Sequence, residues 1–200
     1  PIMGDRPLGP DGRFPLLLKY LDARKNLSVQ VHPSVEHTQD HPDARVKSEA
    51  WYIVAADPGA VIYTGLRDGV ERADVEVAIR EGTVEELLVA VPAIPGACHY
   101  LPSGTCHALG AGVLVAEVGT SSDTTYRVFD WGRTDRELHV DQALTCMDFG
   151  ITDATRWEPD TEEDRDGAKV CRKVACEHFF IDEWRIAAGV ECLPDPGELC

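Results

Sequence analysis

The chain has 200 residues, 44% of them hydrophobic, enough for one medium domain or for one domain and part of a second. Against 19 basic residues stand 35 acidic ones, a formal net charge of -16 that favours solubility and opposes nucleic acid, whose binding needs a basic footprint. There is no run of about eighteen apolar residues, so no membrane-spanning helix is expected.

Leu16 to Leu21 is an apolar run interrupted by Lys19, followed by a turn over Asp22 to Asn26. Leu27 to His32 then alternates, with Leu27, Val29 and Val31 on one face and Ser28, Gln30 and His32 on the other. Period two with β-branched residues is a strand signature, and Pro33 ends the ladder. Residues 34 to 46 are polar, hold His37 and His41, and predict a loop or short helical turn. "SEAWYIVAA" and "AVIYTGL" predict two more strands. From about 74 to 91 the period changes. Gly82 suits a helix C-cap, and Thr83 with Glu86 has capping-box spacing, which predicts a small insert of two short helices. Beyond Pro92, "CHYLPSG", "GVLVAEVG" and "TTYRVFDW" return to strands, and many short strands predict a sandwich or barrel.

The stretch 151–168 is acidic and poor in apolar residues, as expected of a linker between a domain over 1–150 and a second β unit begun over 169–200. The chain starts at Pro1 and stops at Cys200 just after a strand-like segment, the ends expected of a fragment. Its seven cysteines show no C-x-x-C pair, so reduced thiols in the cytoplasm are the expectation. Cys106 precedes His107 and is expected to pack on the opposite face of its strand.

Gln30 and His32 are two apart on one strand and leave the same face; Glu49 opens the next strand, and His107 follows a Pro-Ser-Gly-Thr corner. One amide, two imidazoles and one carboxylate suit zinc, with iron(II), manganese(II) or cobalt(II) as alternatives, and leave room for water or substrate. His37, His41, His99, His139 and His178 lack such partners and are expected as loop or surface residues.

"GACHYLPSGTCH" fits the second cupin motif at Gly96, Pro102, Gly104 and His107, without the usual Asn after the histidine. The first motif reads Gln30-Val31-His32, with the glutamate displaced to Glu49. In that variant the chain resembles the type I mannose-6-phosphate isomerases, particularly the short bacterial class. "FPLLLKYLDA", "LSVQVHP", "KSEAWYI", "LPSGTCHALGAG" and "SSDTTYRVFDW" match that family's blocks in order, over about residues 14 to 133. The resemblance implies a mainly β fold, a cupin or jelly-roll-like barrel holding one zinc ion through Gln30, His32, Glu49 and His107. It also implies interconversion of mannose 6-phosphate and fructose 6-phosphate through an enediol, with a small sugar phosphate as partner. Lys47 and Arg127 are then the catalytic candidates, and Lys19 and Asp123 the substrate contacts. A divalent cation beside Lys47 would lower its pKa and favour a neutral amine base. Longer family members read His-Lys-Pro-Glu where this chain has Val46-Lys47-Ser48-Glu49. Asp123 is expected to orient Arg127 or a sugar hydroxyl. A non-catalytic sugar-binding cupin, or a cupin enzyme of other metal chemistry, is the alternative.

Overall fold

Alternating strands with one apolar face must bury that face, and here two sheets do so against each other. The computed structural model describes residues 14–151, 161–165 and 167–191, with Leu8 and Gly12. One sheet holds β1 (Leu16–Ala23), β8 (Val113–Thr120), β3 (Glu49–Ala56) and β6 (Cys98–Leu101), in that order. The other holds β5 (Leu88–Pro92), β4 (Val61–Leu66), β7 (His107–Leu109), β2 (Val29–Val31) and β9 (Tyr126–Phe129). All the pairings are antiparallel.

Between the sheets lies one core, with Trp51, Ile53, Val113 and Val115 from the first packing against Ile62, Val91 and Leu109 from the second. Full burial of an aliphatic side chain there contributes roughly 1.5–3 kcal/mol. The second sheet's other face carries Val29, Val31, Cys106, Ala108 and Val128, covered by α2 (Arg72–Glu81) and α3 (Val140–Cys146). The five-stranded sheet is therefore apolar on both faces. Polar residues on its inner face stand out for that reason.

The insert expected as two helices over 74–91 is helical over α2, which ends on Gly82 at φ 75°, and then makes a 3₁₀ turn over Val84–Leu87. Leu88–Pro92 is a strand instead. Thr83 makes no side-chain cap, while Val91 and Ala90 pair with Ile62 and Tyr63 of β4. A short apolar run fits either state, and the free edge of β4 decides for the strand. The polar segment after Pro33 contains α1 (Val35–Asp40), capped by the Ser34 hydroxyl, which accepts from the His37 amide. His37 is buried and stacks on His41 at 4.0 Å, contrary to its expected surface position.

The chain divides into two compact units, Pro1–Arg156 and Trp157–Cys200. The second contains an antiparallel sheet of β10 (Thr161–Arg165), β11 (Ala168–Ala175) and β12 (Phe180–Ile186). β10 falls within the expected acidic linker and corrects it. Its carboxylates find cations on the neighbouring strand, as in the 2.7 Å pair of Glu162 with Lys169. Within that stretch residues 152–160 and Asp166 lie outside the described residues. Among the described residues no helix is long and apolar enough to cross a membrane.

Candidate metal centre

Residues directly opposed in antiparallel strands share a sheet face. Gln30 of β2 opposes His107 of β7 on one side and Arg127 of β9 on the other, and His107 opposes Thr64 of β4. Thr64, His107, Gln30 and Arg127 thus form one polar row on the inner face. On the facing sheet, Glu49 lies between Gly119 and Leu101, and Lys19, Glu117 and Trp51 form the next inward row. Gly119 is needed for close approach, since a Cβ there would stand 3.2 Å from the Glu49 Cβ.

His107 is aimed by the corner before it. Gly104 has φ 86°, a left-handed conformation natural to glycine, and its missing Cβ leaves room for Asp148 Cβ at 3.1 Å and Cys146 O at 3.3 Å. The Gly104 amide donates to the His32 carbonyl at 2.9 Å, so the corner also holds the chain at the other histidine.

His32 Nδ1 lies 3.0 Å from the Thr124 carbonyl and His107 Nδ1 lies 2.8 Å from the Thr105 carbonyl. A carbonyl only accepts, so both Nδ1 atoms carry the proton and both Nε2 atoms of the neutral rings present lone pairs. His32 Nε2 faces Glu49 Oε2 at 3.3 Å, His107 Nε2 faces Glu49 Oε1 at 3.3 Å, and Gln30 Nε2 lies 3.3 Å from His107 Nε2. His32 Nε2 and both Glu49 oxygens are buried without a hydrogen bond, although Lys47 Nζ forms an ion pair with Glu49 Oε2 at 2.9 Å. Electron-pair donors facing one another in a dry interior repel unless a cation joins them. For bonds of about 2.0–2.1 Å, a tetrahedral site has edges of about 3.4 Å, close to these separations. The donor set fits a divalent metal ion, and the ligating atoms of His32, Glu49 and His107 all lie within 4.8 Å of one another.

Burial pushes His32 down to about 4, helped by His107 and Lys47 and opposed by Glu49. Burial opposes ionisation of Glu49, but His32 and His107 outweigh it and hold its carboxyl well below the usual carboxylate range. A neutral imidazole and an ionised carboxylate are the forms that bind metal. Trp51 packs edge-on against the His107 ring with centroids 5.3 Å apart, limiting its rotation.

Lys47 is buried, with Nζ 2.9 Å from Glu49 Oε2 and 3.9 Å from Glu117 Oε1. Lys19 Nζ reaches the same Glu117 oxygen at 2.9 Å, and Trp51 Nε1 donates to the other at 3.3 Å. Glu117 was missed in the sequence, although its signal is there: an acid at an inward position of the alternating run Val113, Val115, Glu117. Arg127 stands beside Gln30, with Nη1 donating to the Glu137 carbonyl at 2.6 Å. Asp123 is exposed, and among the described residues no ion pair joins it to that guanidinium. Cys106 faces away from the centre into the helix-covered core, and burial, with Cys146 nearby, pushes its thiol up to about 12.

A sandwich of antiparallel sheets with a mixed amide, imidazole and carboxylate set on its inner walls defines a metal-binding cupin. The family described as "Phosphomannose isomerase type I, catalytic domain" matches residues 5–58, and the mannose-6-phosphate isomerase of Streptococcus mutans serotype c is 36% identical over 185 residues. In these matches the chain is similar to the type I mannose-6-phosphate isomerases. The crystal structure of the Bacillus subtilis mannose 6-phosphate isomerase superposes with a TM-score of 0.80 at 34% identity, over 88% of this chain and 57% of that one. A mannose 6-phosphate isomerase described as bound with zinc and yttrium shares the fold at 15% identity and a TM-score of 0.61, over 90% of this chain and 65% of that one. The match to the S. mutans protein covers 89% of this chain and 57% of the relative, so the chain spans a little over half the length of the curated relatives it matches.

Proposed function

We propose that this chain carries the active centre of a zinc-dependent aldose–ketose isomerase that interconverts mannose 6-phosphate and fructose 6-phosphate. The observation that carries the reading is the convergence of half-buried Gln30 with buried His32, Glu49 and His107, with Lys47 2.9 Å from the shared carboxylate. His32, Glu49 and His107 hold the metal through Nε2, carboxylate and Nε2 atoms, and Gln30 joins them once its amide turns to present oxygen. Zinc bound there supplies a Lewis acid for a sugar oxygen and a positive charge that fixes the sugar's orientation.

Moving a proton between C1 and C2 requires a base near the carbon acid and a cation near the developing oxyanion. Lys47 is assigned the proton transfer, being buried and positioned by the carboxylates of Glu49 and Glu117. Arg127, on the same inner row as Gln30, is assigned the enediolate or the phosphate, which its fork can grip bidentately. Lys19 is assigned to the sugar phosphate, and the exposed Asp123 to a sugar hydroxyl. The net charge of -16 does not oppose an anionic substrate, because a local cluster of cations outweighs carboxylates beyond a Debye length of about 8 Å. Cytoplasmic residence with reduced thiols is part of this proposal.

The test is a coupled isomerase assay beside zinc analysis on the unmutated chain and Lys47→Met. Turnover is expected to fall by at least about 100-fold while zinc is retained. Turnover within a few-fold of the unmutated chain would remove Lys47 from the proton transfer.

A further inference from the structure

The chain segments that carry the ligands are tied together in a closed triangle. The Lys47 amide donates to the Pro33 carbonyl at 3.2 Å, joining the approach to Glu49 to the exit from His32. The Gly104 amide donates to the His32 carbonyl at 2.9 Å, joining His32 to the corner before His107. The third side is the Ser103 amide, which donates to Ser48 Oγ at 3.1 Å and joins that corner back to the residue preceding Glu49. The first two sides run main chain to main chain and survive any side-chain change. The third depends on one hydroxyl.

We propose that Ser48 is a positioning residue of the metal centre, whose hydroxyl sets the separation of Glu49 from His107 and so raises affinity for zinc. The inference rests on the zinc reading above. Ser48 is buried, and its backbone is fixed from the other side: its amide donates to Thr120 Oγ1 at 3.3 Å and its carbonyl accepts from the Thr120 amide at 3.0 Å. The hydroxyl is therefore held in place rather than free to follow the corner. The two segments it joins bear Glu49 Oε1 and His107 Nε2, 3.3 Å apart, which is one edge of the ligand polyhedron. Lys47 and Glu49 flank Ser48, so a slip of this segment moves a ligand and the candidate base together. Hydrogen bonds that orient metal ligands are worth roughly 10–100-fold in metal affinity.

The same bond can be removed from either end. Ser48→Ala deletes the acceptor. Ser103→Pro deletes the donor at the first central position of a turn whose Thr105 amide returns to the Pro102 carbonyl at 3.1 Å and whose second central residue, Gly104, has φ 86°. That is type II geometry, in which the first central position favours proline. Zinc(II) affinity is measured by chelator competition on the unmutated 200-residue chain, both variants and the double variant, with the unfolding midpoint of each metal-free protein. Each single variant is expected to bind zinc about tenfold more weakly, the double variant no worse than the weaker single one, and Ser103→Pro to keep its metal-free midpoint. Zinc affinity within twofold in either single variant, or losses that multiply in the double variant, would overturn the inference and leave the site reading standing. Failure of the unmutated chain to bind zinc would overturn both.

Discussion

Glu117 balances two lysines inside the barrel, and its neutralisation is the sharpest structural test of that balance. Glu117→Gln keeps the shape and an oxygen for Trp51 Nε1 but removes the charge 3.9 Å from Lys47 Nζ. Opposite charges at 3.9 Å attract by about 4 kcal/mol at an effective dielectric constant of roughly 20. Breaking a buried pair from one side costs about 3–5 kcal/mol when the survivor is left unpaired, and Lys47 keeps Glu49 at 2.9 Å, so the cost here falls below that range. Lys19 adds little despite its 2.9 Å contact, since its side chain is 36% exposed and a solvated pair contributes about 1 kcal/mol or less. Urea unfolding of the metal-free chain, followed by intrinsic fluorescence, should show Glu117→Gln destabilised by about 2 kcal/mol and Lys19→Met by about 1 kcal/mol or less. A Glu117→Gln cost no larger than that of Lys19→Met would refute Glu117 as a second counter-charge of Lys47 beside Glu49.

Acid should weaken the metal-free protein through His32. Its folded pKa, about 4 against an ordinary 6.5, means that its stabilising contribution is complete above pH 6.5 and is lost as pH falls toward 4. The loss is about 3 kcal/mol, and denaturation at several pH values on the unmutated chain and His32→Gln should show it in the first and not the second. Parallel curves would contradict the burial argument. Gly104→Ala should cost about 2 kcal/mol and weaken zinc binding, since φ 86° strains an alanine and its methyl would meet Asp148 Cβ at 3.1 Å. Thermal unfolding and chelator competition measure both effects, and an unchanged variant would mean that the corner relaxes freely.

The sheets were legible where one face is apolar and the other polar, as in Leu27 to His32, or where an apolar run is rich in β-branched residues, as in Val113 to Thr120. They were not where the signal is tertiary. Leu88–Pro92 reads as either state until β4 offers its edge, and Thr161–Arg165 carries no apolar pattern, Glu162 instead meeting Lys169 of β11. Helix α3 went unassigned: seven residues with a weak apolar pattern owe their helicity to packing Ala143, Leu144 and Cys146 on the second sheet. At the centre, strand parity put Gln30 and His32 on one face, and the glycine corner singled out His107. The convergence of Glu49 with both histidines depends on two sheets meeting, which no local pattern encodes. Glu117 was overlooked because an acid in an apolar strand reads as an interruption until its two lysines are seen beside it.

The central claim is that four side chains from three parts of the chain hold one divalent ion. Zinc content after exhaustive dialysis of the zinc-loaded chain and of His32→Ala tests it most directly. The account predicts close to one zinc per unmutated chain and little in the variant. Zinc absent from the unmutated chain, or undiminished in His32→Ala, would contradict it.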